Sequence, residues 1–203
     1  MKITTSWCLA LSLALLIPTA AHAEGGPGAI DAFRTLDGII TRHQEIADRP
    51  DRKLKLRVDA LVDAQWFAVE ALGGNKHFAT RCAKRCGDFS ARMSRLVRAR
   101  VLEHANPRDG ATTAYLGETV GKHTTTVHAR VTFPKSATHA KQRTVTVDYV
   151  MHKAAGQWQV RDIKTDGVGL AHAYREEFTK LYAKGGIDAV FAEIDKTLAK
   201  VER

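Results

Sequence analysis

Long apolar runs are confined to the first two dozen residues of this chain. No later segment approaches the roughly 20 consecutive apolar residues that cross a bilayer. Cysteine is scarce, with three in 203 residues, and Cys8 falls in that first run, so a disulfide-dense scaffold is excluded. Aromatics make up 7% and do not interleave with the arginines, which removes the stacking platform expected of a single-strand nucleic-acid binder. There is no GxSxG, HExxH, P-loop or dinucleotide fingerprint, so the common hydrolase and nucleotide-binding signatures are missing. Internal repeats and low-complexity linkers are absent as well.

The first run reads as an export signal. Lys2 supplies a positive start, Cys8 to Pro18 an apolar stretch, and Ala21-His22-Ala23 the small residues at −3 and −1 that signal peptidase requires. Residues 1–23 are therefore expected to be removed, leaving residues 24–203 as one exported domain. Thirty basic against twenty-two acidic side chains then remain, a mature charge of +8. Such a balance suits anionic lipid headgroups or acidic partners, and equally plain solubility.

The two remaining cysteines, Cys82 and Cys86, are four apart. On a regular helix their Cβ atoms would stand about 5–6 Å apart, too far for a disulfide, so pairing requires a break in the helix. Gly87-Asp88 is the nearest break signal. Adding His77 makes only three zinc-ligand candidates without a second pair, and buried thiols or a local disulfide are the stronger readings.

Apolar residues at helical spacing predict helices over about 30–47, 54–72 and 81–102, with Pro50 and Gly73-Gly74 as stops. In the third, Arg81, Lys84, Arg85, Arg92, Arg95 and Arg98 lie largely away from the apolar stripe and read as a solvated face, with phosphate or an acidic partner as the alternative. After Asn106 to Gly110 the period changes to two. Strands are predicted at about 112–120, 124–133, 142–151 and 157–164, with connections short enough for an antiparallel meander. Helices return over about 168–183 and from Ile187 to Val201, separated by Gly185-Gly186. The fold class is α+β: N-terminal helices, a four-stranded antiparallel meander sheet and two C-terminal helices. The apolar sheet face must be covered by the helices.

Such a covered face is either packed core or a cavity for an apolar ligand, and periodicity does not separate the two. A histidine with Asp148 or Asp162 in that cavity is the enzymatic alternative. His123, His128, His139, His152 and His172 are scattered, which favours structural roles for them.

The segment from Gln157 to Val190 resembles the C-terminal signature of the MlaC family, periplasmic phospholipid-binding components of an ABC system that maintains outer-membrane lipid asymmetry, also called the toluene-tolerance family. The strand W-x-V-x-D falls on Trp158, Val160 and Asp162. The turn falls on Gly167 and Val168, with Gly169 where serine is usual. Y-R-x-x-F falls on Tyr174, Arg175 and Phe178, and G-G-I-D on Gly185 to Asp188. Asp63 and Ala71-Leu72-Gly73 fit an upstream element, whereas residues 74–106 fit poorly.

The resemblance implies a cavity between sheet and helices that takes acyl chains, and no catalysis. Its expected wall residues are Val131, Val145, Val147, Tyr149, Val160, Val168, Leu170, Tyr174 and Phe178, each of which also has a core-only reading. It implies phospholipid as cargo without a further cofactor, a periplasmic location, an inner-membrane ABC lipid transporter complex and an outer-membrane lipoprotein complex as partners, and transient contact with membrane surfaces by a monomer. A hopanoid is an alternative ligand. Arg175 is expected to brace Asp162 or a carbonyl rather than to hold phosphate.

Overall fold

In the computed structural model the described residues are 28–46, 52–104, 110–135 and 141–201. The export signal and His139 lie outside them. The elements run α1 (Ala29–Ile46), α2 (Arg52–Leu61), α3 (Ala64–Ala71), α4 (Asn75–Cys82), α5 (Cys86–His104), β1 (Thr112–Val120), β2 (Thr125–Phe133), β3 (Arg143–Ala154), β4 (Gln157–Thr165), β5 (Val168–Gly169) and α6 (Leu170–Val201). No helix among the described residues is long and apolar enough to cross a membrane.

The strands form one antiparallel sheet in the order β1-β2-β3-β4-β5. The four expected strands are present, and the two residues of β5 are an addition. Alternation fixes the register. Val127 opposes Tyr149, Ala129 opposes Val147 and Val131 opposes Val145, so one face is apolar across β2 and β3. Between these pairs His128 opposes Asp148 and Arg130 opposes Thr146, which makes the other face polar.

Aromatic packing forms two clusters, one between α1 and the apolar face and one among the helices. Phe33 of α1 stacks on Tyr149, with ring centroids 3.9 Å apart, and meets Tyr115 edge-on. Among the helices, Phe89 of α5 is in ring contact with Phe78, Phe178 and Phe191, while Tyr174 joins Phe67 to Phe178. Phe67, Phe89 and Phe178 are fully buried, so truncating any one costs about 3–5 kcal/mol.

Two long helices expected from periodicity are each divided. The stretch 54–72 breaks at Val62 and Asp63. Val62 makes a parallel bridge to Val160, and the Asp63 N–H donates to the Val160 carbonyl at 2.9 Å. Asp63 then caps α3, its carboxylate accepting from the Trp66 N–H at 3.1 Å.

The stretch 81–102 breaks at Ala83–Arg85, a 3₁₀ turn, where Cys82 and Cys86 are joined as a disulfide with Cα atoms 4.8 Å apart. The break thus precedes Gly87-Asp88, because the bond itself requires the intervening residues to leave the helix. Ala83 adopts φ 46°, ψ −120°, a conformation that costs a residue with a Cβ about 1–3 kcal/mol. The arginines around this break are engaged internally rather than merely solvated. Arg81 donates to the Leu72 carbonyl, Arg85 pairs with Asp188, Arg92 with Asp195 and Arg98 with Asp59.

At the start of α6 the carboxylate of Asp162 accepts N–H bonds from Ile163 at 2.9 Å and from Ala171 at 3.0 Å. Gly169 packs against it so closely that a Cβ there would overlap the Asp162 Oδ2. Val168 precedes the helix instead of beginning it, because pairing with Thr165 draws it into β5. Gly185 and Gly186 lie inside α6 and kink it. Gly186 takes φ 62°, ψ −156°, a region open in practice only to glycine.

Closing the five-residue ring of the disulfide removes unfolded-state entropy equivalent to about 2 kcal/mol. Reduction, or the Cys82→Ser/Cys86→Ser variant, should lower the Tm by about 4–8 °C, read by circular dichroism. In the oxidised protein, Ala83→Gly should raise the Tm by about 2–4 °C, and a fall would show that the turn is not strained.

Burial raises the Asp162 pKa, outweighing the Ala171 and Ile163 N–H bonds and the charge of Lys164. A raised carboxylate contributes its stability below the unfolded value, about 3.9, and loses it as pH rises through the folded value. Asp162→Asn does not ionise, so its Tm relative to wild type should climb as pH rises above about 4. A flat or falling difference in thermal melts would refute the assignment.

Candidate functional site

The inner face of the sheet is the largest apolar surface that strand alternation builds. Val127, Ala129, Val147, Met151, Val160 and Ile163 are buried on it, and Val131, Val145 and Tyr149 are half-buried against the same core. Phe33 and Leu36 of α1 and Leu170 and Tyr174 of α6 belong to the same core. Eight of the nine expected wall residues therefore share one apolar body of sheet and helix. They divide between sheet and helices: Val131, Val145, Val147, Tyr149 and Val160 on the strands, Leu170, Tyr174 and Phe178 on α6. Phe178 sits deepest, enclosed by Phe89 and Tyr174.

Val168 is the exception. It is 60% exposed on β5 and does not face inward, so it is no part of an enclosed wall. Its helical assignment failed because the turn Asp166-Gly167 forms a hairpin that pairs Val168 with Thr165 before the helix starts.

Neutral polar groups border the apolar face where α1 meets β1. The Tyr115 hydroxyl donates to the Asp37 carboxylate at 2.7 Å. Burial, reinforced by that hydrogen bond and the Asp37 charge, holds the Tyr115 phenol far above its usual range. Burial, with a smaller contribution from Asp37, does the same for Tyr149. Both phenols stay protonated at any physiological pH and keep their hydrogen-bonding capacity without charge. The Arg34 guanidinium stands 5.3 Å from the Tyr115 ring centroid, placing a cation at the same edge. This polar border was not foreseen from the sequence. Phe33 and Asp37, spaced i and i+4 on α1, were its only local signal.

The histidine–aspartate alternative meets a different geometry. His128 Nδ1 lies 2.8 Å from Asp148 Oδ1, and its Nε2 lies 2.9 Å from Thr119 Oγ1. The pair projects from the polar face of the sheet, opposite the apolar surface, because both residues alternate with the inward valines. Asp162, the other acid proposed for that role, is occupied by backbone N–H groups. His152 instead pairs with Asp63 at 2.9 Å, beside Arg161.

Arg175 bonds the Glu70 carbonyl at 3.0 Å and pairs with the Glu70 carboxylate, tying α6 to α3. Bracing a carbonyl was one of its two expected roles. Asp162 is not its partner.

Comparison with known proteins places this arrangement. The family model described as MlaC protein matches residues 34–196. A solved structure described as the phospholipid-binding protein from Ralstonia solanacearum in complex with a phospholipid is similar in fold. Its TM-score is 0.57 at 17% identity, over 86% of this chain and 95% of that one. Among curated proteins no sequence matches. A match spanning α1 into the far half of α6 takes in the sheet, its apolar face and the helices over it, and so this chain belongs to the MlaC family.

Proposed function

We propose that this protein is a phospholipid carrier that holds acyl chains between the inner sheet face and the covering helices. The observation that carries this reading is the continuous apolar face of β2, β3 and β4 under α1 and α6, in a fold shared with a protein solved in complex with a phospholipid. Burial supplies the driving force: about 0.8 kcal/mol per methylene means that a dozen buried methylenes contribute roughly 10 kcal/mol. The Arg34 guanidinium at the α1–β1 edge offers a cation to a headgroup.

In this reading the export signal sends residues 24–203 to the periplasm. There the carrier passes phospholipid between an inner-membrane ABC transporter complex and an outer-membrane lipoprotein complex, maintaining lipid asymmetry. In this reading the protein binds and releases lipid without transforming it, and transfer requires only that lipid enter and leave.

Organic extraction of the purified protein followed by lipid mass spectrometry should release phospholipid. Val145→Trp, facing Val131 at one end of the inner face, should lower the phospholipid recovered severalfold while the protein remains folded. Recovery of a hopanoid would change the cargo. Protein carrying no lipid would sink the carrier reading.

A further inference from the structure

The α2 helix has a face that folding does not explain. Four of its first six residues, Arg52, Lys53, Lys55 and Arg57, are cations, all are exposed, and its first turn holds no acid. Cations at a helix N-terminus oppose the macrodipole, and Lys53 and Arg57 add a like-charge i,i+4 pair. None of the four makes an ion pair among the described residues. Asp59, the acid of this helix, is already held by Arg98 at 2.5 Å. Elsewhere, Arg81, Arg85, Arg92 and Arg98 all have intramolecular partners, so α2 differs in kind.

Leu56 stands in the middle of this charge and is 59% exposed. At 100° per residue it points away from Leu54 and Val58, which are buried in the core, and the four cations spread to its two sides. An apolar side chain at the crown of a helix, flanked by long cationic chains that keep their heads at the water boundary, matches the interfacial mode of helix binding.

We infer that α2 docks the protein on an anionic lipid surface, with Arg52, Lys53, Lys55 and Arg57 on the headgroups and Leu56 entering the acyl boundary. The purpose of such docking rests on the carrier reading, since a carrier that serves membrane-bound complexes works at the bilayer surface. Each cation near an anionic surface strengthens binding severalfold, and a single leucine adds a smaller, salt-independent part. The contact is therefore weak and reversible, and screened by salt.

The test is cosedimentation of the purified protein with vesicles of phosphatidylcholine, alone or with part replaced by phosphatidylglycerol, at low and high salt. Wild type should bind only the anionic vesicles, and less at high salt. The Lys53→Gln/Lys55→Gln/Arg57→Gln variant should lose on the order of a hundredfold in affinity at low salt. Leu56→Ser should lose about fivefold and keep the salt dependence. Melting temperature should not fall in either variant and extracted lipid should match wild type, because these side chains lie outside the core. Failure of wild type to bind anionic vesicles overturns the proposal and leaves the face to an acidic protein. Wild-type binding by the triple variant overturns it too. Either result with cargo still present removes only the docking role; absence of cargo removes the carrier reading itself.

Discussion

The Asp162 carboxylate joins the two layers of this molecule. It sits at the end of the apolar part of β4 and accepts N–H bonds from its own strand and from the first turn of α6. A buried carboxylate in that position is costly to desolvate, and the raised pKa records the cost. The helix N-terminus offsets part of it with oriented donors and a positive dipole end. Gly169 leaves the space that makes the approach possible. With that junction set, α6 leaves the sheet in one direction, and everything it carries follows: Tyr174 and Phe178 into the aromatic cluster, Arg175 onto Glu70, and, beyond the kink, Phe191 against α5.

The α5–α6 contact shows how charge and apolar packing divide the work. Arg85 and Arg92 both lie over the Phe191 ring, at 4.2 and 4.6 Å, while each also reaches an aspartate on α6. Their acids are more than half exposed, so the ion pairs alone contribute about 0–1 kcal/mol each. The rings beneath are what hold the helices together. The arginine stems shield Phe191 from water, and the charges keep the outer surface soluble.

Local pattern carried much of this. The change of period at Gly110, the glycines at the helix break and the alternation of β2 and β3 are short-range signals, and the elements they announced are present. What escaped is non-local. Nothing near Val62 reveals that it will bridge Val160 a hundred residues later, and that bridge is what divides the second helix. Arg175 is readable as a bracing residue, yet its choice of Glu70 over Asp162 depends on how α3 lies against α6. Cys82 and Cys86 show by spacing that a disulfide needs a broken helix. The location of the break at Ala83 follows from closing the ring, against the preference of the residue that takes it. Val168 fell to the same kind of competition: its helical spacing yielded to a hairpin turn.

The apolar surfaces that remain differ in what they imply. The inner sheet face is continuous and largely buried, a setting that admits an apolar chain and disfavours free charge, and the charges of Asp37 and Arg34 stay at its α1–β1 border. The crown of α2 is the reverse: one leucine in water amid cations that the fold leaves unpaired among the described residues. A carrier with both surfaces gains from keeping them apart. Affinity for an individual lipid molecule comes from enclosed area and is indifferent to salt, whereas affinity for a membrane surface must be weak enough to let go. Placing the first in the core and the second on a short exposed helix allows each to be set by its own residues, without the strength of one limiting the reversibility of the other.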